Sequence, residues 1–221
     1  SDFICQLVIM VGAVALFCDA PFESEMQKYI LPRAGHTAWA AGQCMYIIAL
    51  SFLYVLMILL FSILPLLPNL TFQDGWGKIL GTLARSGGRS QYGIPFMVYD
   101  YLIGSYTPQQ ATALSFLLSF ECCVWLGLLT YFFNYVSGRY VGTFLSAGFV
   151  LMDITVANEW LPWFYRISPV TLAQLQALRG KNSLYQVDLS YALWFFGIFI
   201  VCLIVGCIIA PKFHGFRRKR K

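Results

Sequence analysis

Long apolar runs broken by short polar interludes set the pattern of this chain. Segments 3–17, 41–67, 111–136, 140–157 and 191–210 are almost free of charge. About 20 apolar residues cross a hydrocarbon core of roughly 30 Å, and a helix satisfies its own backbone there. The five runs therefore read as membrane helices. The second is long enough to need tilt, or a break near Pro65 and Pro68, which end it. The first would reach only about 22 Å as a helix, short of a crossing. The expectation is that the sequence begins inside a helix, with an upstream part absent.

The polar interludes set an orientation. Residues 19–40, 137–139 and the tail after residue 210 hold nine of the fifteen Lys and Arg, and the tail closes on five consecutive basic residues, Arg217 to Lys221. By the positive-inside rule these connections are cytoplasmic, and residues 68–110 and 158–190 lie outside. An odd number of visible spans with a cytoplasmic C-terminus again points to one more span upstream. The fold class is thus all-α and polytopic, five spans seen of six, in a single membrane domain covering residues 1–221.

The outer interludes carry structure of their own. In DGWGKILGTLAR, Trp76, Ile79, Leu80 and Leu83 recur at helical spacing, with Lys78 and Arg85 off that face, as in an interfacial helix. In NEWLPWFYRISPVTLAQLQALRG, Ser168-Pro169 precedes an apolar stripe of Val170, Leu172, Leu175 and Leu178. That reads as two short helices dipping into the outer leaflet and broken at the proline. Asn69-Leu70-Thr71 matches a glycosylation sequon.

Composition narrows the chemistry. At 59% hydrophobic and 17% aromatic the chain is an integral membrane protein with no room for a soluble catalytic domain. Seven cysteines form no CxxC pair and read as small buried hydrophobes. Gly77-Lys78 and Gly180-Lys181 lack the glycine spacing and the Ser or Thr of a phosphate-binding loop. The basic tail fits anionic lipid, with no nucleic-acid-binding domain behind it. No catalytic triad, zinc-protease motif or metal-ligand spacing is present, so neither a catalytic residue nor a metal is assigned.

Two carboxylates lie inside apolar runs. Glu121 is about ten residues, or roughly 15 Å, into its helix. It is either a polar point on a translocation path or a packing residue bonded to Asn134, Thr130 or a partner subunit. Asp153, four residues from the outer end of the next helix, is the second candidate for a translocation path or a packing residue, and water is expected to reach it there. Gly138, Gly142 and Ser146 make a small-xxx-small seam, for internal packing or for a dimer face.

The charged island APFESEMQKYILPRAGHTAWAAGQ separates the first two runs. Pro21 opens a helix there, with Glu23 and Glu25 near its positive end and Lys28 a turn later. Met26, Tyr29 and Ile30 share a face, and Pro32 is expected to stop the helix. Such a short amphipathic helix along the cytoplasmic surface suits docking; the alternative is an interfacial linker with no partner.

With this island, the tight NYVSGRYVG turn and the outer FYRISPVTLAQLQAL segment, the chain resembles the type-two permease family of ATP-binding-cassette (ABC) exporters. The resemblance implies a coupling helix in the island, with Glu23, Glu25, Lys28 and Arg33 meeting an ATPase. It implies re-entrant outer helices around Ser168 and Pro169. The first and fourth runs would line the route between two permease subunits, the same or different. ATP and Mg would reside on separate ATPase subunits, with no cofactor in this chain. A multi-pass protein of a bacterial plasma membrane follows, exporting a hydrophobic or amphipathic cargo. The alternatives are an intramembrane enzyme using Glu121 or Asp153, and a non-transporting scaffold or sensor subunit.

Overall fold

A computed structural model gives the architecture and describes residues 3–22, 31–33, 35–69, 75–77, 82, 100–158, 160–178 and 187–218. Every regular element among the described residues is helical. Three helices are long and apolar enough to cross a membrane: α2 (His36–Ile63), α4 (Pro108–Ser137) and the Leu189–Pro211 part of α7 (Leu189–Arg218). Two shorter apolar helices, α1 (Phe3–Phe17) and α5 (Val141–Ala157), complete the bundle. Small helices α3 (Asp100–Ser105) and α6 (Pro169–Leu172) flank it.

Helix α4 is the axis. Residues 122–131 are all buried, whereas α2 and α7 bury one side only. A helix wrapped all round by protein is the centre of its bundle. The start of α4 is written in TPQQ: the Thr107 hydroxyl accepts from the Gln110 backbone N–H, Gln110 answers to the Thr107 backbone, and Pro108 occupies the first turn. This reciprocal cap starts the helix three residues before the apolar run at 111.

The other boundaries also shift for local reasons. Helix α2 begins at His36, because Gly35 at φ 80° provides the reversal that breaks the chain before it. Residues 31–33 are helical, Pro32 among them, and the Gly35 N–H bonds the Leu31 carbonyl at 3.0 Å, so Pro32 does not mark a stop; residues 23–30 of the expected helix lie outside the described residues. At its far end α2 tightens into a 3-10 turn over Leu64–Asn69, the break expected near Pro65 and Pro68. Helix α7 runs through Pro211, beyond the expected end at residue 210.

The α4–α5 turn is as short as expected. Gly138 at φ 124° and Tyr140 at φ 72° reverse the chain, and the Arg139 guanidinium lies 5.1 Å from the Tyr140 ring centre. Beyond it, a Cβ on Gly142 would overlap the backbone of Thr130, so α4 and α5 meet backbone to backbone. The small-residue seam is therefore internal packing at Gly142 and Ser146, both buried against α4, while Gly148 faces open space.

Candidate functional site

Polar side chains inside the apolar bundle form a cluster at each end and pairs between them. One end carries the charged island between α1 and α2; the other carries the Ser168–Pro169 segment. In lipid, packing contacts and hydrogen bonds hold helices together, since lipid tails are as apolar as leucine. The polar clusters are therefore where the bundle is most specifically tied.

At the island end the organising residue is Asn134 of α4, 7% exposed. Its amide donates to the carbonyls of Cys18 at 3.3 Å and Ala20 at 2.7 Å, while its oxygen accepts from the Gly142 N–H at 2.8 Å. The Thr143 hydroxyl adds a second bond to the Cys18 carbonyl at 3.0 Å. Those carbonyls end α1, where helical partners run out, so Asn134 and Thr143 cap α1 from outside. Two residues on, Gln43 of α2 holds the Phe22 backbone by both its N–H (3.2 Å) and its carbonyl (3.4 Å). The base of the island loop is thus closed from residue 22 to residue 43.

Between the ends, the Thr130 hydroxyl donates to the Leu126 carbonyl and lies 2.7 Å from the Ser146 hydroxyl. Gln6 of α1 and Ser119 of α4 face each other at 3.2 Å, both buried. Tyr54 of α2 donates to the Ile9 carbonyl at 2.8 Å.

At the opposite end Asp153 is 1% exposed. One oxygen accepts from the Thr171 hydroxyl at 2.6 Å, the other from the Gln174 amide at 2.9 Å. The expectation that water reaches Asp153 fails for this reason: the Ser168–Leu178 segment folds back over it. Ser168 caps α6 by accepting from the Thr171 N–H at 3.4 Å, and Pro169 opens that helix. Val170, Leu172, Leu175 and Leu178 are all buried, the stripe turned wholly inward. The Cys122 thiol of α4 reaches the Pro169 carbonyl at 3.7 Å.

Glu121 stands apart from both clusters. Its Oε2 is buried without a hydrogen-bond partner. The partners expected for it are engaged elsewhere, Asn134 with α1 and α5 and Thr130 with Ser146. Leu128 and Phe132 face Cys207 and Gly206 of α7, and Glu121, two turns before Leu128, shares that side of α4.

Of the expected coupling residues, Arg33 is exposed in the helical stretch 31–33, and Glu23, Glu25 and Lys28 lie outside the described residues. Of the interfacial stripe, Trp76 donates to the Tyr106 carbonyl at 2.7 Å over an open cleft of about 450 Å³; Ile79, Leu80 and Leu83 lie outside the described residues. Partial burial there, with Tyr101 and Asp188 nearby, raises the Tyr106 phenol above its ordinary pKa.

No metal-binding group of three or more His, Cys, Asp or Glu occurs among the described residues. No family model, curated protein or solved structure matches the chain.

Proposed function

We propose that the chain is the permease subunit of an ABC exporter, paired with a second permease subunit, the same or different, and driven by separate ATPase subunits that hold the ATP and Mg. The island is cytoplasmic and carries the coupling helix, with Glu23, Glu25, Lys28 and Arg33 as its contacts. The Ser168–Pro169 segment caps the outer end, and a hydrophobic or amphipathic cargo passes between the permease subunits.

The observation that carries this reading is the closed base of the island. Gln43 ties residue 22 to α2, while Asn134 and Thr143 tie the end of α1 to α4 and α5. A mere linker needs no such anchorage. A loop that receives force needs a base that does not give way. Arg33, on the returning limb, is exposed, as a docking charge must be.

The test is purification in mild detergent with identification of every co-purifying chain. A nucleotide-binding polypeptide is expected, and its recovery should fall about tenfold when Glu23, Glu25 and Arg33 are charge-reversed together, the scale of one lost charged contact. Recovery of no nucleotide-binding chain overturns the reading.

A further inference from the structure

The two polar clusters share one pair of helices. Asn134 and Thr130 are on α4, and Thr143, Ser146 and Asp153 follow in order along α5. The α4–α5 hairpin therefore meets the island at one end and the Ser168–Leu178 segment at the other. Between them it has little freedom to shear. The Thr130–Ser146 contact and the backbone approach at Gly142 hold the helices in one register. Gln6–Ser119 and Asn134–Ala20 bind α1 to the same unit near both of its ends. Packed elements of this kind shift as bodies between discrete arrangements.

We infer that the α4–α5 hairpin is a rigid lever that joins the charged island to the outer cap, with Asn134 as the positioning residue at its input and Asp153 at its output. Displacing the island drags the end of α1 and the start of α5 through Asn134 and Thr143. The hairpin carries that displacement along its length, and Asp153 passes it to Thr171 and Gln174. The mechanical link stands on the hydrogen bonds alone; its use as the power stroke rests on the permease reading.

Hydrogen–deuterium exchange of the full chain in lipid nanodiscs tests the link without any transport assay. Asn134→Leu removes both donors and the acceptor. Exchange at Gly142 and across residues 18–22 should rise at least about fivefold, the scale of one lost hydrogen bond. The deciding readout is remote: exchange across residues 171–178 should rise at least about twofold, with the buried stretch of α2 unchanged. Coupling between two sites is reciprocal, so Asp153→Asn should raise exchange across residues 18–22 in turn. Asn134→Asp keeps the acceptor for Gly142 and loses the donors. It should free residues 18–22 and the cap while Gly142 stays protected, and it carries the test if the leucine variant does not fold.

Faster exchange at residues 18–22 with an unchanged cap overturns the lever, as does a uniform rise that includes α2 in both variants. With an ATPase bound, Asn134→Asp should lower the cargo moved per ATP hydrolysed. If no ATPase binds, the permease reading falls, and the exchange pattern still decides the lever.

Discussion

Replacing Asp153 by alanine is the sharpest probe of the Ser168–Leu178 segment. The change leaves two former donors to account for. The Thr171 hydroxyl has a second acceptor, the Ser168 Oγ at 2.9 Å, and can turn to it. The Gln174 amide, in a residue 5% exposed, has lost the carboxylate it donated to. One orphaned buried donor costs about 1–3 kcal/mol, and the missing carboxylate leaves a small cavity besides. The expected loss is about 2–3 kcal/mol, a 30- to 150-fold shift in the unfolding equilibrium. Asp153→Ala with Gln174→Leu should be less harmful than Asp153→Ala alone, because the orphan has gone. A double-mutant cycle should give about 1–2 kcal/mol of coupling. Steric-trap unfolding in detergent, with protease cleavage near Trp160 and Trp163 as a local probe, measures both quantities. Asp153→Ala within about 0.5 kcal/mol of wild type, with unchanged cleavage, would refute the idea that these bonds hold the segment down.

Other expectations concern single sites. Gly142→Ala should cost about 1–3 kcal/mol by forcing α4 and α5 apart, and Gly148→Ala, in open space, should be neutral or gain up to about 1 kcal/mol; thermal unfolding of the pair checks this contrast. Thr107→Ala should lose about 1 kcal/mol and speed amide exchange in the first turn of α4 only. Glu121→Gln should leave unfolding unchanged within about 0.5 kcal/mol, because the buried Oε2 has no partner to lose. If the same variant abolishes an ATP-independent turnover, the enzyme alternative replaces the permease reading.

The sequence alone determined which segments are helical and apolar. Charge-free runs, Pro and Gly placement and the SGR turn located α1 and α5 almost to the residue, because burial of unpaired backbone in lipid leaves helix as the economical choice. It also marked Ser168-Pro169 as a break before an apolar stripe, since proline and a hydroxyl cap are local signals. Only the tertiary structure decided which way each helix faces. In a water-soluble bundle, polar residues mark the outside; here Phe144 at 80% exposure and core-facing Leu126 at 0% are both apolar. That is why the sequence could not name α4 as the axis or choose between internal packing and a dimer face for the small-residue seam. It could not see that Asp153 is sealed beneath residues eighteen and twenty-one positions away. Nor could it see that Asn134 bonds to α1 more than a hundred residues upstream. A polar residue in an apolar run announces that it needs a partner, and the fold supplies the partner.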